Sequence, residues 1–98
     1  MKDYTTLINS APLVMVEFYA TWCPHCQRMM PVVEQVKELL QGRVKVYQFD
    51  IDENKSKAGE AEVESVPTFI IYRNGKEMWR NSGEMEGEVL LSKIESVL

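Results

Sequence analysis

Leu13-Val14-Met15-Val16-Glu17-Phe18-Tyr19-Ala20-Thr21-Trp22-Cys23-Pro24-His25-Cys26 is the stretch that organises the chain. Its first eight residues form an apolar run rich in strand formers, broken only by Glu17. A run of that kind predicts a central strand covered on both faces. From Cys23 to Leu40 the apolar spacing becomes helical. Met29, Val33, Val36 and Leu40 fall on one line with Met30, Val32 and Leu39 beside it. Pro31 lies inside this helix and removes a backbone donor, which predicts a kink. Residues 44–51 are β-branched and aromatic and read as a second strand. Strand, helix and strand with short links demand a parallel pair and a right-handed crossover.

Outward from that unit, residues 3–9 predict a short first helix, broken by Asn9-Ser10-Ala11-Pro12. Residues 55–63 predict a polar helix with Ala58 and Ala61 inward. Residues 68–72 and 77–81 flank Arg73-Asn74-Gly75-Lys76, and Asn-Gly between two strand-like runs predicts an antiparallel hairpin. Residues 86–98 predict a last helix with Leu90, Leu91, Ile94, Val97 and Leu98 toward the sheet. The fold class is therefore α/β, a mixed sheet of about four strands with helices on both faces. With 98 residues and neither repeat nor linker, the chain is expected to be one domain.

The charge balance narrows the function. Eleven Lys and Arg against fifteen Asp and Glu leave −4, and no basic cluster is present to neutralise phosphates, so nucleic acid is excluded as a partner. The longest uncharged apolar stretch, residues 11–16, is far short of a membrane span. The start of the chain lacks a hydrophobic signal core, which points to the cytoplasm, or to the periplasm or a secreted state if a signal has been removed.

Both cysteines lie in Cys23-Pro24-His25-Cys26. A disulfide closing so short a loop removes little unfolded-chain entropy and is a poor structural staple. Zinc is disfavoured because Cys23, His25 and Cys26 are too close in sequence to converge on one tetrahedral ion, and no second ligand pair exists elsewhere. Redox chemistry fits better, because the motif follows a strand and opens a helix. The free N–H groups and positive dipole end of that helix stabilise a thiolate on Cys23. Pro24 suits the first helical turn, where its missing N–H costs nothing. Cys26 lies one turn deeper. The expected roles are attack by Cys23 and resolution by Cys26.

Val16 through Cys26 resembles the active-site strand and loop of the thioredoxin family. Pro31, Ser65-Val66-Pro67-Thr68, Asn74-Gly75 and Gly83 follow at the family's spacing, so the resemblance covers the chain from about Leu13 to its C-terminus. It implies a thioredoxin fold and a thiol–disulfide oxidoreductase. It also implies a cis Val66-Pro67 bond facing the cysteines, and substrate contacts at Trp22, Val66, Pro67 and Gly83. The partners implied are protein disulfides or dithiols, with a reductase such as a thioredoxin reductase, or an oxidising partner, acting on a monomer. No metal, nucleotide or flavin is required.

Three departures from the family pattern stand out. Pro24-His25 replaces the usual Gly-Pro and resembles the periplasmic oxidant DsbA. Glu17 stands for the buried aspartate, and Gln48 for the lysine that accompanies it. A carboxylate isolated in an apolar strand is costly to bury ionised, so Glu17 is expected to have a raised pKa and to take the proton of Cys26, unless it is a salt-bridged strand residue. His25 is either a solvated helix residue or a source of positive potential for Cys23. Trp79 reads as structural, and Met29 and Met30 as core filler. A disulfide-donating oxidant, or a binding module using the same exposed motif without turnover, remain as alternatives.

Overall fold

The computed structural model describes residues 3–98. Met1 and Lys2, part of the start read above for a signal, lie outside them. The element order is α1 (Tyr4–Ile8), β1 (Leu13–Tyr19), α2 (Pro24–Leu39), β2 (Lys45–Asp50), α3 (Lys55–Glu60), β3 (Thr68–Arg73), β4 (Lys76–Ser82) and α4 (Gly87–Glu95). The four strands form one sheet in the order β2-β1-β3-β4. β1 pairs parallel with β2 and antiparallel with β3, and β3 pairs antiparallel with β4. Both the parallel βαβ unit and the antiparallel hairpin match the sequence expectation.

Side chains on a strand alternate between faces, and β1 uses both. Leu13 and Met15, with Phe69 and Ile71 of β3, meet Met29, Val33 and Val36 of α2 and Leu90 and Ile94 of α4. Val14, Val16 and Phe18, with Ile70 and Tyr72, meet Tyr4 of α1 and Ala61 just after α3. Helices therefore cover both faces, and β1 is buried almost throughout. Glu17 shares the face of Met15, beneath α2. This places a carboxylate in the layer that also carries the helix of the two cysteines.

The hairpin turn follows from its two residues. Asn74 and Gly75 both take positive φ, 51° and 80°, as a two-residue turn compatible with strand twist requires. A Cβ on Gly75 would also collide with the side chain of Asn9. Asp3 caps α1, its carboxylate accepting from the Thr6 N–H at 2.8 Å.

Several expectations need correction. Met30, read as core filler, is 57% exposed, and Leu39, beside the apolar line, is 58% exposed. The helix turns 100° per residue, so both fall just beyond the buried line of Met29, Val33 and Val36. α4 stops at Glu95, leaving Leu98 half-exposed beyond it, and α3 stops at Glu60. The cysteine motif is less open than expected, because Cys23 is only 4% exposed.

Candidate active site

β1 ends at Tyr19, and the chain turns through Ala20-Thr21-Trp22 so that Cys23 becomes the N-cap of α2 and Pro24 its first residue. As N-cap, Cys23 places Sγ where a helix leaves its N–H groups unpaired. Its sulfur accepts from the Cys26 backbone N–H at 3.3 Å, and as a thiol it also donates to the Val66 carbonyl at 3.7 Å. Cys26 lies one turn on and is 2% exposed. Both are free thiols.

The two thiols differ in acidity. Burial opposes ionisation of Cys23, but hydrogen bonds from the Cys26 thiol and from the backbone N–H groups of Cys26 and His25, together with the charge of Arg28, outweigh it. The net result lies below the ordinary thiol value. Cys26 is pushed up to about 12, first by burial and then by its hydrogen bond to Cys23, with the charges of Cys23 and Glu17 adding to the rise. A more acidic thiol at the helix N-terminus backed by a reluctant one a turn deeper is an arrangement suited to sequential attack.

Glu17 is 2% exposed. Burial raises its carboxyl above the ordinary value, against the opposing Gln48 hydrogen bond and Lys37 charge. It is not isolated, as the apolar run suggested. Gln48 Nε2 donates to Glu17 Oε1 at 2.9 Å, and Gln48 Oε1 accepts from Lys37 Nζ at 3.3 Å.

Beside Cys23 a groove of about 390 Å³ is lined by Trp22, Cys23, Pro24, Ile51, Val63 and Val66, among others. Trp22 is 64% exposed and is steadied by its indole N–H donating to Asp52 at 2.9 Å. The Val66-Pro67 peptide bond is cis. Pro67 is buried, and its carbonyl accepts from the Gly83 N–H at 2.8 Å. Gly83 takes φ +99°, which a residue with a Cβ adopts only under strain. The loop carrying Gly83 is thereby tied to the loop carrying Val66. A larger hollow of about 730 Å³, between α1 and the hairpin, contains neither cysteine. Among the described residues no group of three or more His, Cys, Asp or Glu is placed to hold a metal ion.

Besides Lys37, two residues near Cys23, Arg28 and Glu84, escaped the sequence reading. Glu84 follows Gly83 and accepts from Arg28 through both Nε, at 2.8 Å, and Nη2, and from His25 Nδ1. The hydrogen bonds from these two residues, Arg28 first, hold the Glu84 carboxyl down at about 2. The His25 imidazole is thus engaged with a carboxylate, and the cationic side chain that favours ionisation of Cys23 is that of Arg28. Arg28 was findable, because three residues after His25 is one helical turn. Glu84 was not, since fifty-six residues separate it from Arg28. Glu84→Gln should leave the Arg28 charge uncompensated and move the pH midpoint of Cys23 alkylation down by roughly half a unit at low salt, with little shift in 1 M salt. An equal midpoint in both proteins at low salt would separate this cluster from Cys23.

A sheet of order β2-β1-β3-β4, with two thiols at a helix start beside a cis X-Pro turn, defines the class of CxxC proteins with a thioredoxin-type fold. The thioredoxin family model matches residues 1–96, and the chain belongs to that family. It is 41% identical over 92 residues to the chloroplastic thioredoxin Y of Oryza sativa subsp. japonica, covering 94% of this chain and 55% of that protein. A thioredoxin-like protein of Synechocystis sp. is 33% identical over 89 residues, covering 91% and 85%. Among solved structures, a mutant thioredoxin from Halobacterium salinarum NRC-1 superposes with a TM-score of 0.83 at 34% identity, covering 91% of this chain and 77% of that one. The chain spans about half the length of the chloroplastic thioredoxin Y relatives it matches. Among the described residues no helix is long and apolar enough to cross a membrane.

Proposed function

We propose that this protein is a thiol–disulfide oxidoreductase that exchanges disulfides with protein substrates through Cys23 and Cys26. The observation that carries this reading is the pairing of a thiol at the helix N-terminus, bordering the groove and held by helix N–H groups, with a second buried thiol one turn behind it. In the reductive direction, the Cys23 thiolate attacks one sulfur of a substrate disulfide. That S–S bond breaks, the second substrate sulfur leaves as a thiolate, and a mixed disulfide joins Cys23 to the substrate. Cys26 gives its proton to Glu17 and attacks Cys23 Sγ, and the first substrate sulfur leaves in turn. Two electrons have passed to the substrate, and Cys23 and Cys26 are left as a disulfide. A donor dithiol, a reductase protein, reverses the last state. An oxidising partner running the sequence backwards would make the protein a disulfide donor.

Trp22, Pro24 and Val66 line the groove against which a substrate segment lies, with Pro67 and Gly83 supporting its wall. An extended segment would pair with backbone beside Val66 as an added strand. The single domain works as a monomer in the cytoplasm, by this reading.

Equilibration with glutathione tests the exchange chemistry directly. The reduced state contains the stabilised Cys23 thiolate, and a stabilised reduced state makes a better oxidant. The expected potential is on the order of −200 mV, between the values of about −270 mV for thioredoxin and about −120 mV for DsbA. The offset from thioredoxin corresponds to about 3 kcal/mol at roughly 30 mV per 1.4 kcal/mol. Pro24→Gly combined with His25→Pro should lower the potential and raise the Cys23 pKa. A pair that does not equilibrate with glutathione as a two-electron couple would refute the proposed activity.

A further inference from the structure

The buried carboxylate of Glu17 is reached from the surface of α2 through a neutral amide. Lys37 is on the exposed flank of that helix, one turn from Glu34, and its ammonium is shared between two acceptors. One is the Glu34 carboxylate at 3.4 Å, and the other is the Gln48 side-chain oxygen at 3.3 Å. Gln48, on β2, stands opposite Glu17 in the parallel register and donates its Nε2–H to Glu17 Oε1 at 2.9 Å. An amide held in this way has one good orientation. Its oxygen must face the ammonium, because an amide NH2 there would set donor against donor. Its NH2 must face the carboxylate, because an amide oxygen there would set acceptor against acceptor.

We propose that Lys37 is a positioning residue for Glu17: its ammonium orients the Gln48 amide so that the amide N–H is aimed at the buried carboxylate. The proposal rests on the reading of Glu17 as the proton acceptor of Cys26 and deepens it. Lys37 touches neither substrate nor sulfur and acts only through Gln48. Polarised by the ammonium, the amide N–H becomes a stronger donor and favours the ionised carboxylate, the form that can accept a proton. A cavity of about 150 Å³ lined by Glu17, Tyr19, Met30, Glu34 and Gln48 adjoins the chain of bonds, so a proton taken up by Glu17 has an exit that avoids the groove. Exposed Met30, which the core does not need, forms part of its wall.

The groups around Glu17 make the expected sign definite. From α2 come Cys26, Lys37 and, beyond Lys37, Glu34. From β1 itself comes Tyr19. β2 contributes the neutral Gln48, and β3 contributes the apolar Phe69. Lys37 is therefore the one cation among them, and its loss shifts Glu17 toward protonation.

The test is a carboxyl NMR titration of Glu17 in the disulfide form, where neither thiol titrates. Lys37→Met should move the Glu17 midpoint upward by roughly half to one unit, and Lys37→Arg should restore most of the shift. Mixed-disulfide resolution should then require a correspondingly higher pH. Glu34→Gln, which removes only the exposed ion pair, should not reproduce the upward shift. Lys37 is at the surface, so these proteins are expected to fold. Gln48→Leu gives a second route to the same upward shift from the strand side. An unmoved midpoint in Lys37→Met, or an equal upward shift in Glu34→Gln, would overturn the proposal. The titration uses no substrate, so a failure of the exchange activity is read in a different experiment.

Discussion

Cys23→Ser is expected to remove disulfide reduction to background, a loss of at least about 10³-fold in the turnover of an exposed substrate disulfide such as that of insulin. The serine retains the N-cap geometry, because a hydroxyl oxygen accepts the same backbone N–H that the sulfur accepts from Cys26. Folding is therefore preserved, and what is lost is a sulfur nucleophile that ionises more readily than an ordinary thiol. Cys26→Ser has a different signature. Attack by Cys23 survives, but nothing cleaves the intermediate, so the mixed disulfide accumulates in stoichiometric amounts and is released by dithiothreitol. The two variants together separate turnover from binding. A protein that merely held its partners in the groove would keep its affinity in Cys23→Ser and would trap nothing in Cys26→Ser. Full activity in Cys23→Ser, or absence of a trapped intermediate in Cys26→Ser, would dismantle the assigned sequence of attack and resolution.

Glu17→Gln is expected to slow resolution by roughly 10²-fold while changing the first attack little. Cys26 is held near 12 by burial and by its neighbour, so at neutral pH it needs a base, whereas the Cys23 thiol lies below the ordinary value and depends on one less. Stopped-flow records of the two steps check this, and equal slowing of both would remove Glu17 from its role. The same substitution should affect stability in the opposite sense. Burial raises the folded-state carboxyl above its unfolded value, so the folded state binds the proton more tightly. The stability this provides is fully present below the unfolded pKa and is lost as pH rises through the raised folded value. At neutral pH Glu17 therefore burdens the fold, and Glu17→Gln should be more stable than the parent there, with the advantage fading in acid. Urea unfolding at both pH values gives the comparison. A neutral-pH loss of stability would mean that Gln48 and Lys37 fully offset the cost of burying the charge.

Much of the architecture was legible before any coordinates. Alternation and apolar runs depend on near neighbours in sequence, so Leu13–Tyr19 reads as a doubly covered strand and Asn74-Gly75 as a hairpin turn from local residues alone. The position of Cys23 at the helix start is legible for the same reason. A strand followed by a helix start is a local pattern, and the helix start supplies the N–H groups that favour a thiolate. Helix edges are less legible. One step of 100° separates buried Met29 from exposed Met30, and composition cannot distinguish them.

By itself, then, the chain determined which elements form, which thiol sits at the helix start, and that a carboxylate enters the core beside them, because each depends on propensity and periodicity within a few residues. Tertiary structure alone decided what that carboxylate and that thiol feel. Gln48 reaches Glu17 across a parallel strand pair, and Lys37 reaches Gln48 from another element. Glu84 crosses fifty-six positions to bind Arg28 and fifty-nine to bind His25, and the charge of Arg28 favours ionisation of Cys23. Electrostatic effects depend on distance and burial in three dimensions, and a linear sequence encodes those only through the completed fold.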